Sequence, residues 1–202
     1  MKAPFASLIA ALTLAGCGQP AEKAAVAPAT EANLPADAPK AQPAWSATPE
    51  GVGPLTGEVA FSRDAIAALF PGAEVKDAFV NEEGDQVPVV TITAADGLAL
   101  VVHGRSDGRL GSIAATAGPV AGPKGERIGD AWKGLGFALS DCIVGADQAS
   151  GQALCRRPGA PTLAYVFEAP GGLGDTEQEP NADRIAEEGV LREFLWQAPL
   201  SN

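Results

Sequence analysis

Along this chain, apolar positions alternate with polar ones more often than they recur at helical spacing. The helical period is clear in one stretch, where Ile66, Leu69 and Phe70 share a face. Ser62 is placed to cap it, Asp64 complements its positive end, and Pro71-Gly72 stops it after about two turns. Strand patterns follow in quick succession. Residues 73–80 alternate in part, Glu82-Glu83-Gly84-Asp85 supplies a turn, and 87–93 is β-branched almost throughout. Asp96-Gly97 and Asp107-Gly108 each fall between apolar runs. Asp-Gly provides the positive φ angles that tight hairpins need, so 98–103 and 109–115 are expected as the next strands. The Gly- and Pro-rich stretch 117–136 holds one helical turn at 130–133. Strands are expected again at 138–144, 152–156, 162–168 and 191–197, with a weak helical pattern at 181–188 inside an acidic, glycine-rich segment. The fold class is α+β: mostly antiparallel β-sheet of meanders and hairpins, with one or two short helices.

The first residues have a different character. Lys2 precedes an apolar run from Pro4 to Leu14, about half the roughly 20 residues a bilayer span requires. That length matches the apolar region of a secretory signal. Leu14-Ala15-Gly16-Cys17 closes the run and resembles the lipobox of bacterial lipoproteins. The resemblance implies a signal peptide over 1–16 and acyl chains, palmitate among them, on Cys17. Gly18, rather than Asp, after the cysteine implies the outer membrane. Each buried methylene contributes about 0.8 kcal/mol, and two anchoring signals suffice for stable attachment. Residues 18–54 carry seven prolines, many alanines and few large apolar groups besides Trp45. Such a composition cannot offset backbone entropy, so 17–54 reads as the lipidated cysteine and a disordered tether. A single β-rich periplasmic domain, 55–202, is left, long enough to bury one core.

The formal charge is −11, and loss of Lys2 with the leader makes it one unit more negative. Nucleic acid is excluded as a partner, because its binding rests on Lys and Arg neutralising phosphates. The membrane is then a partner through the lipid on Cys17 rather than through surface charge.

Two cysteines remain. Cys142 and Cys155 bracket a turn containing Gly145, Ala146 and Gly151, and an even pair in an exported chain reads as a disulfide. A redox dithiol would instead show Cys-x-x-Cys at a helix start. His103 is the only histidine and ends an apolar strand. A Ser-His-Asp set would have to use it, but Ser106, Ser112 and Ser140 lie in no Gly-x-Ser-x-Gly elbow. No spacing points to zinc or a calcium loop, and no cofactor is expected. The carboxylates at 82–85 and 175–183 read as solvated loops. Arg156-Arg157 is the candidate for docking an anionic ligand or a protein carboxylate through bidentate hydrogen bonds.

From Ala68-Leu69-Phe70-Pro71-Gly72 to Phe194-Leu195-Trp196 the chain resembles an uncharacterised family of bacterial lipoproteins controlled by the envelope-stress sigma factor. Val75-Lys76, Ser140-Asp141-Cys142, Gly151-Gln152-Ala153-Leu154-Cys155 and Leu163-Ala164-Tyr165-Val166-Phe167 also carry the resemblance. It implies a lipid-anchored β-rich domain with the Cys142–Cys155 bridge, and no catalytic residue. The function expected is a non-enzymatic envelope lipoprotein that binds a periplasmic protein or supports the envelope. An inhibitor of a cationic cell-wall enzyme such as lysozyme is the alternative, since net charge steers encounter. An envelope hydrolase is a third and less favoured reading.

Overall fold

The computed structural model describes residues 45–199, the side chain of Gln148 excepted. The expected leader, Cys17 and most of the tether lie outside the described residues. The tether's last part does not: the ordered domain includes β1 (Trp45–Thr48) and β2 (Gly51–Val52), ahead of β3 (Leu55–Thr56). The described fold thus begins at Trp45, ten residues ahead of the boundary expected at Leu55. Proline-rich composition hid the strands, yet Ala47, Val52 and Leu55 are fully buried, and the Pro49 carbonyl accepts from Trp196 Nε1 at 2.9 Å and Thr162 Oγ1 at 2.7 Å.

Helix α1 (Arg63–Ala67) begins where capping requires, Ser62 Oγ accepting from the Ala65 N–H at 3.3 Å. It closes before Phe70, whose ring is buried beyond its end. Next come β4 (Glu74–Glu82), β5 (Asp85–Thr93), β6 (Ala99–Gly104) and β7 (Leu110–Ala117). The Asp-Gly turns work differently from expectation. Gly97 and Gly108 have φ of 89° and 80°, but Asp96 and Asp107 are not among the described residues with positive φ. Each aspartate instead accepts from the N–H two residues on, Leu98 and Arg109, at 3.1 and 3.0 Å. The two hairpins are thus built alike, by side-chain turns rather than by paired left-handed residues.

β8 (Val120–Ala121) precedes β9 (Cys142–Val144), β10 (Ala153–Arg156), β11 (Leu163–Glu168), α2 (Ala182–Glu188) and β12 (Val190–Gln197). The strand expected over 138–144 is half that length, because Leu139–Asp141 forms a 3-10 turn tied by Asp141 to the Ala138 N–H. The helical turn at 130–133 falls at Trp132–Gly134, and the weak pattern at 181–188 becomes α2, capped by Asn181.

Eight strands form one antiparallel sheet in the order β4-β5-β6-β7-β12-β11-β10-β9, and β3-β2-β1-β8 form a smaller one. Alternation puts Val102, Ile113, Phe194 and Trp196 on the face that meets the core, joined by Ile66 of α1 and Ile185 of α2. Burial of side chains such as Trp196, Tyr165 and Phe167 contributes about 1.5–3 kcal/mol each. Cys142 and Cys155 stand directly opposite in the β9–β10 ladder, with Cα atoms 4.0 Å apart, and form a disulfide.

Candidate binding face

The other face of the large sheet is hollowed. Glu82 and Glu83 at the β4–β5 tip line a cavity of about 500 Å³ together with Ala146, Asp147 and Ala149 of the β9–β10 loop. Diagonal corners of the twisted sheet therefore face each other across a trough. An adjoining cavity of about 520 Å³ continues it past His103, Ser112, Ala114, Arg192 and Glu193. Polar and charged side chains make up most of its lining, and the apolar part of its floor is Ala114, Ala149 and Leu195. Val89, Ala164 and Val166 are buried at positions of the same face.

One polar row crosses this floor. His103 pairs with Ser112, and Ser112 with Gln197, on successive strands. The row is extended at one end by Glu82, whose Oε1 lies 3.4 Å from His103 Nδ1. At the other end Arg156 donates to Gln197 Oε1 at 2.7 Å and to the Pro161 carbonyl at 3.1 Å. Arg156 has no ion-pair partner among the described residues, and burial lowers its pKa. Glu193 sits farther along the trough, where burial raises its pKa against the opposing pull of Arg192. Arg192 itself reaches Glu168 at 3.3 Å.

Glutamate, histidine and serine are thus brought together on one face. No hydrogen bond joins Ser112 to His103 among the described residues. Ser112 lies mid-strand in β7, whose backbone donors enter ladders with β6 on one side and β12 on the other. The backbone donors beside Ser112 are thereby engaged in the sheet and form no backbone oxyanion hole there. Among the described residues no group of three or more His, Cys, Asp or Glu is placed to hold a metal ion.

The two expected docking arginines separate. Arg156 joins the polar row, whereas Arg157 is directed to Glu126. Arg157 donates to Glu126 Oε1 at 2.7 Å and the Leu135 carbonyl at 2.8 Å, and covers the Phe137 ring at 4.1 Å. Glu126 is 4% exposed. Burial pushes its carboxyl up, but hydrogen bonds from its own and the Lys124 backbone, with Arg157, outweigh this and hold its pKa below the ordinary value. Tyr165 lies 3.3 Å from the same carboxylate, and burial pushes its hydroxyl up to about 12. Gly122 lets the loop approach this cluster, because a Cβ there would stand 2.5 Å from Glu126 Oε2 and 3.0 Å from Tyr165 Oη.

Sequence reasoning passed over Glu126, Arg192, Glu193 and Gln197. Alternation in β12 was the available signal: Glu193, Leu195 and Gln197 oppose Phe194 and Trp196.

The chain matches, over residues 42–198, the family described as a protein of unknown function, DUF1131. It belongs to that family. Among solved structures it resembles the crystal structure of the uncharacterized protein yfeY from Escherichia coli, with 21% identity and a TM-score of 0.61. That likeness covers 76% of this chain and 99% of the other, and it shows a shared fold. Comparison with curated proteins finds no match.

Proposed function

We propose that this DUF1131 protein is a lipid-anchored envelope protein, held to the outer membrane through Cys17, whose periplasmic domain binds a partner without turning it over. The observation that carries the reading is the polar row Glu82–His103–Ser112–Gln197–Arg156 across the open face of the large sheet. A binding cavity needs polar groups fixed in place to orient what it holds. Here Glu82 holds one end of the row and the Pro161 carbonyl the other. Backbone donors around Ser112 are engaged in the sheet, which favours binding over acyl transfer.

A photocrosslinking residue at Gln197, introduced in cells, tests this directly. A discrete protein adduct is expected that is absent when the probe stands at the exposed Lys133, and that is lost on Leu195→Glu. Adducts identical from both positions, or none from Gln197, would contradict the reading. Attachment is tested by Cys17→Ser with the leader otherwise intact: the protein should leave the membrane fraction. Control by the envelope-stress sigma factor belongs to the same proposal and predicts a rise in the transcript when that factor is induced.

Inhibition of a cationic cell-wall enzyme is favoured by one feature, the acidic border of the trough at Glu82, Glu83 and Asp147. A lysozyme assay with added protein decides it, and unchanged lysis removes the reading.

A further inference from the structure

The two edges of the large sheet are finished differently. β9 is three residues long, and its outer side is closed by hydrogen bonds from the Val144 N–H to the Gln178 carbonyl at 2.8 Å and from the Glu177 N–H to the Val144 carbonyl at 2.9 Å. β4, at the opposite edge, is nine residues long and carries Phe79 at 66% exposure. A long edge strand bearing an exposed aromatic is a template for pairing with another strand.

The chain's own register says which strand fits. Glu83 and Gly84 both have positive φ, 51° and 93°, and form a two-residue turn between the paired Glu82 and Asp85. In such a hairpin the flanking pair is hydrogen bonded, so even-numbered residues of β4 bond to β5. Val75, Asp77 and Phe79 consequently direct their N–H and C=O groups to the outer edge. An antiparallel copy can dock only in registers that place odd residues opposite odd residues. Centring the pairing on Ala78 sets Glu74 against Glu82, centring it on Asp77 sets aspartate against aspartate, and centring it on Val80 sets Asp77 against Glu83. Centring it on Phe79 meets none of these repulsions. It places Phe79 against Phe79, Lys76 against Glu82 twice by symmetry, and Asp77 against the uncharged Asn81. Lys76 and Glu82 are then non-hydrogen-bonded pairs, the kind in which side chains approach most closely.

We infer that β4 is a self-complementary dimerisation edge, at which two copies of this chain pair antiparallel about Phe79 into one continuous sheet. Lys76 faces the same side of the sheet as Glu82, which already contacts His103. The partner's Lys76 therefore adds a cation at the mouth of the trough. The self-matching charge pattern, which an unrelated strand would have to reproduce, commits the edge to a second copy.

The test uses the full lipidated chain. In detergent the unaltered protein should have the mass of two chains, and a monomer mass would overturn the inference. In cells, Phe79→Cys should form a disulfide-linked dimer on oxidation, whereas Gln86→Cys on the neighbouring strand should not. In the Phe79→Cys background, Lys76→Glu or Glu82→Lys should each lower the cross-linked fraction by about tenfold. The two together should restore it. Cross-linking indifferent to these charges, or Phe79→Cys adducts formed with a different protein instead, would refute self-pairing.

Discussion

Two glutamates carry opposite consequences for stability. Glu126 has a depressed pKa in the fold, so its stabilisation is fully present above the ordinary value of 4.5 and is lost as pH falls through the folded-state value. Glu126→Gln should therefore be less stable at neutral pH and show a shallower loss of stability on acidification. Removing only its partner is harsher: Arg157→Leu leaves a buried carboxylate without its cation and should cost about 3 kcal/mol, measured by urea unfolding at pH 7. Glu193 has a raised pKa, so the fold favours its protonated form, and that contribution is lost as pH rises through the folded-state value. Glu193→Gln should raise the melting temperature at pH 7, with the gain vanishing below pH 4.5. A melting curve unchanged at pH 7 would remove the argument that this carboxylate is held in the trough at a cost to stability. Glu193 was legible only as a polar position in the alternation of β12, and Glu126 not at all. Glu126 sits among Gly and Pro residues with no periodicity, and its burial arises from Arg157 and Tyr165, distant in the chain.

At the scale of elements, alternation read well wherever a strand had one buried face. β5, β6, β7 and β12 lie within a residue or two of their expected ends, because Ile92, Leu100, Ile113 and Trp196 mark the core side. It failed where strands were too short to show a period, as in β1 and β2, whose burial depends on docking against Trp196 rather than on local pattern. The paired cysteines were legible from their spacing, and the ladder explains why they meet. Closing this loop, with a sequence separation of 13, stabilises by roughly 3 kcal/mol in the chain-entropy model. Cys142→Ser with Cys155→Ser should lower unfolding stability by about that amount, with strand content by circular dichroism retained at 25 °C. A double variant as stable as the parent would show that β9 is held mainly by Gln178 and its neighbours.

For the whole molecule, the sequence pointed to a β-rich domain with no recognisable catalytic set, but the trough was hidden. Glu82, His103, Ser112, Arg156 and Gln197 come from five different strands, and only the curvature of the sheet brings the first next to the second. The same curvature makes one face a core and the other an open trough, and places the β4 edge beside its mouth. Hydroxyl-radical footprinting of the protein in intact envelopes, compared with the purified chain, tests that division most directly. His103 and Leu195 should be protected in the envelope while the exposed Ile143 keeps its reactivity. Equal labelling of all three in both settings would contradict a partner on this face.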